Sequence, residues 1–316
     1  MDSGRTRCAA SGSRVCVGIE CWGSLLSLFS LQSNFGSALW IAAGEVAMSA
    51  VYFADNVAAS VAGVPSKGGA VYASAGSFSC TQCTFTGNSA SAGGAMWAGS
   101  SASIAVHASL FEGNSATGRD EEGGGGALFI GSTGTVAVNG SRFVSNTASK
   151  SDGGSIIAKA GSPVVSWCAF ELSSAKRGGA VQVLFGAAAF SDCVFDQCTA
   201  SGQGGAVHVG PAATIADLPN VRPSFERCLF IASVSAGYGG GAAVNHATPT
   251  FASCSFTGGR AAMGRGGGLS ATSVGNMAVS SCTFSDNSAE DGGGTYTDAV
   301  PGYAPTVRTV SPCSRA

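Results

Sequence analysis

The stretch CTFTGNSASAGGAMWAGS, residues 83–100, decides the fold. A phenylalanine follows the cysteine by two residues, an asparagine follows the phenylalanine by three, and Gly-Gly-Ala then opens an apolar run. The order returns at residues 282–294 as CTFSDNSAEDGGG. Taking one glycine per Gly-Gly group gives Gly68, Gly93, Gly125, Gly153, Gly178, Gly204, Gly240, Gly267 and Gly293, in steps of 25, 32, 28, 25, 26, 36, 27 and 26. Phe53, Phe85, Phe111, Phe143, Phe170, Phe195, Phe230, Phe256 and Phe284 keep the same beat. A looser copy precedes them: GSALWI (36–41) mirrors GGALFI (125–130), with Phe29 and Gln32 in the Phe and Asn places. About ten copies cover nearly the whole chain, and a fixed period of this size marks a stacked repeat architecture.

Within each copy the segments are short and alternating, separated by Gly, Ser and Asn, with no sustained helical period. After Gly-Gly come apolar, variable, apolar residues, as in AVQV (180–183) and AVHV (206–209). In C-x-F, the Cys and Phe share one face of a strand. One unit cannot bury such a face alone, but copies stacked on it can. The expected fold is all-β: a single-stranded solenoid, a right-handed parallel β-helix of about ten coils with three short strands per coil. Coils stack about 4.8 Å apart, giving a length of roughly 45 Å. The two long steps place outward turns at ATGRDEEGGGG (116–126) and GPAATIADLPNVRPSF (210–225). Phenylalanines in register make an internal ring ladder. Asn56, Asn88, Asn114 and Asn146, three after Phe, can satisfy one another as stacked amides. Residues 1–21 read as an N-terminal leader or cap. Residues 22–316 read as the β-helix, incomplete at its C-terminal end, with Cys313 at one more ladder position.

F-x-x-N together with GGA plus Ile, Leu or Val resembles the repeat of chlamydial polymorphic outer membrane proteins. F-x-x-N is intact at Phe53, Phe85, Phe111, Phe143 and Phe284. The resemblance implies a right-handed β-helical, pectin-lyase-like passenger and a surface adhesin. No membrane-barrel segment of that family is present in this sequence.

Composition excludes some functions. The net charge is −2, and charged residues are 11% of the chain against about 25% in average domains. That lacks the basic face a nucleic-acid binder needs. The most apolar stretch, VCVGIECWGSLLSLFSL (15–31), is interrupted by Glu20 and several serines, so it is not read as a membrane span.

Cys83, Cys168, Cys193, Cys228, Cys254 and Cys282 each lie two residues before a ladder Phe. Parallel side chains one coil apart hold their β-carbons beyond disulfide reach, so a column of buried thiols is expected. Cys80-Thr-Gln-Cys83 has CxxC spacing, but no second pair completes a zinc set.

β-Helices of this class include polysaccharide lyases and hydrolases, which use convergent carboxylates, often with calcium or a basic residue. Register brings Glu171 and Asp196 together in consecutive coils and sets Arg227 one coil beyond Asp192. These four are the candidates for that alternative, with Ca²⁺ the cation such a cluster would take. The preferred reading of them is a solvated charge patch with an ion pair, no metal site and no cofactor. His107, His208 and His246 hold different places in their coils and do not converge. The better outward feature follows Gly-Gly: Trp40, Tyr72, Trp97 and Phe129 should form an aromatic stripe, continued by Ile157, Gln182 and His208. Flat aromatic stripes suit sugar rings, and exposed apolar patches mark interaction sites. The functional expectation is a non-enzymatic, cell-surface or secreted adhesion scaffold that contacts a glycan or protein partner. End-to-end association or continuation of the helix is a further partner expectation.

Overall fold

The computed structural model describes residues 14–16, 19–22, 36–61, 63–99, 101–119, 123–210, 221–274, 277–299 and 306–309. They form a parallel β-helix. One coil shows the plan: strands Met96–Ala98, Ser103–His107, Leu110–Glu112 and Ser115–Ala116, after which the chain turns into the next coil. Each strand pairs in parallel with its counterparts one coil before and after. The strands after Gly-Gly make a ten-stranded sheet running from Leu39–Ile41 to Thr295–Ala299. The second and third strands of each coil form two further columns. These merge where Ala278–Ser285 runs through both.

The coil holds one strand more than the three expected. The fourth, Ser115–Ala116 in this coil, is two residues long and belongs to a seven-stranded sheet. Its inward alanines, Ala116, Ala148 and Ala175, pack as a small separate cluster. Two residues carry no visible alternation, so the period that betrays longer strands was absent here.

The core is built from columns of like residues. The nine ladder phenylalanines stack with centroids 4.4–4.9 Å apart and ring planes within 3–12°. A second column, Phe190, Phe225 and Phe251, stacks at 4.8–5.0 Å and meets the first edge-on. The strand spacing sets these ring separations, and the edge-on meetings put ring hydrogens against ring faces. The Cys position forms the column Cys83, Ser109, Ser141, Cys168, Cys193, Cys228, Cys254 and Cys282, all buried. Its thiols donate to carbonyls of their own and the preceding coil, as Cys228 does to Glu226 and Phe190. Ser109 and Ser141 fill the gap with hydroxyls, each accepting a backbone N–H from the previous coil at 3.1 Å.

Three corners per coil take left-handed backbone. The Gly-Gly corner uses glycine throughout: Gly93 has φ +63°, and a Cβ there would collide with the Met96 carbonyl oxygen. In the last three coils the turning residue is Gly239, Gly266 and Gly292, one earlier than the spacing suggested. Those coils read Gly-Gly-Gly, and the third glycine stands where Ala95 or Ala206 stands elsewhere. The other two corners tolerate side chains. One runs Ala50, Gln82, Ala108, Gly140, Trp167, Asp192, Arg227, Ser253 and Ser281; the other runs Asp55, Gly87, Gly113, Ser145, Leu172, Gln197, Ala232, Gly258 and Asp286.

Two antiparallel strands lie on the N-terminal edge. Arg14–Cys16 pairs with Tyr52–Ala54, and Ile19–Trp22 pairs with Glu45–Ser49. Val15 therefore stands opposite Phe53, the place the looser copy gave to Phe29. Phe29, Gln32 and Cys313 lie outside the described residues. At the other end Val307 pairs with Val279, three residues out of step with an alignment of Cys313 on Cys282.

The first long turn is pinched at its base. Gly118 N donates to Ser91 O at 3.0 Å, and Gly93 N donates to Gly124 O at 3.0 Å. A Cβ on Gly123 would lie 2.6 Å from the Gly118 carbonyl carbon. The turn thus leaves and rejoins the coil at one point.

Candidate binding surface

The ten-stranded sheet places the outward residues in register as expected: Trp40, Tyr72, Trp97, Phe129, Ile157, Gln182 and His208 face the same side in successive coils. Their environments diverge sharply. Trp40 is 44% exposed, Phe129 only 6%, and Ile157, Gln182 and His208 are fully buried. The stripe sinks beneath neighbouring turns along the helix axis. Phe129 and Ile157 pack with Ala92 and Leu184 in a small outer cluster, against which Trp97 rests.

The rings stack on one another. Tyr72 and Trp97 lie face to face at 4.8 Å and 16°, and Trp97 and Phe129 at 6.0 Å and 19°. Trp40 meets Tyr72 at 61° and does not stack on it. The middle of the stripe accordingly offers ring edges, not the flat faces the sequence suggested. Beside those edges is a cleft of about 530 Å³ lined by Val64, Pro65, Lys67, Trp97, Phe129 and Lys159, among others. Lys67 Nζ lies 4.7 Å from the Trp97 ring centre, within cation–π range. Nothing in the spacing pointed to Lys67 or Lys159. They lie outside the repeated positions, Lys67 just before one glycine corner and Lys159 just after a strand of the sheet.

Farther along, the same face holds a buried polar network. His208 Nδ1 is 2.7 Å from Gln182 Oε1, while Gln182 Nε2 donates to the Val183 and Gly210 carbonyls. That fixes the Gln182 amide, so Nδ1 carries the proton and donates. Nε2 lies 3.0 Å from Asn245 Nδ2 and 3.2 Å from Gln203 Oε1; Asn245 Nδ2 donates to that Gln203 oxygen at 2.6 Å, and Thr272 donates to Asn245 Oδ1. Burial first, and the Arg177 charge second, push the His208 pKa down to about 3. Arg177 itself forms a two-pronged pair with buried Asp152 at 2.7 and 3.0 Å.

The carboxylate candidates lie on a different face. Glu171 and Asp196 are register partners, but Glu171 accepts from Arg142 through both oxygens, at 2.8 and 3.0 Å. Asp192 and Arg227 pair across one coil at 2.7 and 2.8 Å. This bond holds the Asp192 carboxyl below its usual range. Asp196 Oδ1 is buried with no hydrogen-bond partner among the described residues. Among the described residues, no three His, Cys, Asp or Glu side chains are grouped to hold a metal ion.

The family model of the Chlamydia polymorphic membrane protein (Chlamydia_PMP) repeat matches residues 281–298. These residues are similar to a Chlamydia polymorphic membrane protein repeat. The match spans Phe284, Asn287 and Gly292–Gly294; F-x-x-N is intact there, while Gly-Gly-Gly-Thr stands in place of Gly-Gly-Ala and an aliphatic residue. In the structure this Chlamydia_PMP repeat runs from the third strand of one coil into the first of the next, Thr295–Ala299. Earlier copies hold the same positions in register with it. No curated protein and no solved structure matches the chain. Among the described residues no helix is long and apolar enough to cross a membrane, which says nothing of a β-barrel.

Proposed function

We propose that the chain is a non-enzymatic β-helical scaffold, displayed at the cell surface or secreted, that binds a saccharide on its ten-stranded face. The observation that carries this reading is the cleft beside Trp97 and Phe129. It combines apolar ring edges with ammonium groups, the mix that saccharide and small-ligand sites use to hold and orient a guest. Trp40, 44% exposed, extends the same surface by two coils. The Chlamydia_PMP repeat supports exposure on the outside of a cell. The alternative, a polysaccharide lyase or hydrolase, would need free carboxylates. Glu171 and Asp192 each face an arginine, so that reading rests on Asp196 alone.

Glycan-array screening followed by calorimetry on the full chain tests the proposal. Trp97→Ala and Trp40→Ala should each weaken binding by at least about tenfold. Unchanged affinity in both would remove the stripe from consideration. Surface labelling of intact cells tests the location. Release of unsaturated or reducing ends from acidic polysaccharides, abolished by Asp196→Ala, would favour the enzyme instead.

A further inference from the structure

Four large apolar side chains stand exposed on the outward face of the third strands and on the two corners that bound it: Tyr52, Trp167, Leu172 and Leu229. Trp167 is 66% exposed and holds φ +55°, a backbone that large side chains rarely adopt. Such outliers gather where a surface is used. In the two coils before it the same corner is made by Ala108 and Gly140. These small residues leave a surface recess of about 250 Å³, lined also by Thr84, Leu110 and Arg142. A protruding indole and a recess roomy enough for one thus stand on one corner, two coils apart. Their placement is symmetric about the coil of Arg142. Trp167 lies one coil after that level and Ala108 one coil before it. Tyr52 lies three coils before Arg142 and Leu229 three coils after, all in one column. On the second corner Leu172 lies one coil after and Gly113 one before, and a Cβ on Gly113 would meet no atom within 4 Å.

We infer that this face docks a second copy of the chain about a two-fold axis that crosses it at Arg142, with Trp167 of each copy seated in the recess at Ala108 of the other. An axis lying in the face and perpendicular to the helix reverses the order of the coils and sets each column against itself. Every contact is then made twice, and the assembly closes at two copies. The one axis matches all four exposed apolar side chains. Trp167 enters the recess, Leu172 lies over the open backbone at Gly113, and Tyr52 meets Leu229. At the first corner Gln82 meets Asp192, an amide against a carboxylate.

One opposition is unfavourable. Glu112 meets Glu171, and the arginines that stand between them, one from each copy, are already held by Glu171 at 2.8 Å. The face spans roughly 17 Å across the strand and 29 Å along the coils at ordinary strand spacings, or roughly 500 Å² per copy. That is the lower end for specific complexes, so the dimer should be a reversible one in the micromolar range. The saccharide surface lies on the ten-stranded sheet, a different face, and neither reading depends on the other.

The test is sedimentation velocity on the full chain, kept reduced, from about 1 to about 100 µM. The expected result is a monomer–dimer equilibrium with no larger species. Trp167→Asn removes the indole and leaves a residue suited to left-handed backbone. Ala108→Trp fills the recess, at a corner column that already carries an indole at Trp167. Each variant alone should dimerise at least about tenfold more weakly. Mixed one to one, they should pair again, because the indole added at 108 faces the shortened side chain at 167 and the remaining Trp167 faces an open Ala108. Glu112→Gln should tighten the dimer by relieving the one like-charge contact. A wild-type chain that stays monomeric throughout overturns the inference and leaves the face to some other partner. Open-ended oligomers, single variants that dimerise like the wild type, or a mixture that fails to pair would each overturn it as well. The wild-type result stands whether or not a variant folds.

Discussion

Asn88 and Asn114 share one oxygen. Asn114 Oδ1 accepts both the side-chain Nδ2 of Asn88 at 2.9 Å and its backbone N at 3.0 Å. Asn114 in turn donates to Phe85 O and to Asn146 Oδ1, both at 2.9 Å. Each rung therefore ties a side chain, a corner and the next coil together. Asn114→Ala leaves a buried N–H and a buried carbonyl without partners, and should cost about 2–4 kcal/mol in urea denaturation. Asn114→Ser should cost less, because Ser173 and Ser233 already hold this position in later coils.

The corners separate backbone strain from packing. Gly113 has φ +61°, and a Cβ there would meet no atom within 4 Å. Gly113→Ala should cost only the left-handed penalty, about 1 kcal/mol. Gly93→Ala should cost more, because the same φ is joined by a clash with the Met96 carbonyl. Leu172 sits at φ +54° and is 54% exposed. Leu172→Asn should raise stability by about 0.5–1 kcal/mol, since asparagine adopts this backbone readily. Thermal melts of the three variants check the order.

His208 makes stability depend on pH. Its folded pKa, about 3, lies below the unfolded value near 6.5. Below pH 6.5 the unfolded chain takes up a proton that the folded chain refuses. The contribution is complete above about pH 6.5 and falls as the pH drops toward 3. At pH 5 the loss should be about 2 kcal/mol. His208→Gln should flatten that part of the profile, measured as the urea midpoint between pH 7 and 5. An unchanged slope would count against the burial of a neutral ring.

Two ion pairs of similar length should behave differently. Arg227→Ala breaks a solvent-facing pair with Asp192 and should leave the melting temperature unchanged within error. Arg177→Ala leaves Asp152 buried and unpaired, and should cost about 3 kcal/mol. A comparable loss in both would mean that exposure does not set the value of these pairs.

Much of this architecture was readable because stacking turns sequence period into spatial register. Phe85 over Phe111, Asn88 over Asn114, Trp97 beside Phe129 and Arg227 against Asp192 all follow from counting. What counting missed was conformation and cover. The turning glycine in a run of three cannot be told from its neighbours until the strand after it is placed. Gln82 and Trp167 give no sign of left-handed backbone in their side chains. The burial of His208 depends on turns from other coils, which a single repeat does not describe. Lys67 and Lys159 reach the cleft from irregular segments, where register has no hold. Trp40, Tyr72, Trp97 and Phe129 stand in register as counted, yet their exposure and ring orientation were not accessible from order alone.

The neck at Gly118 and Gly123 carries a consequence for how such a chain can vary through time. Residues between these two glycines can change in number and kind while Ser91 and Gly93 still find the same partners. Length and composition above the neck are therefore structurally independent of the stacked columns. The segment above the neck can diversify with no compensating change in the rungs beneath it.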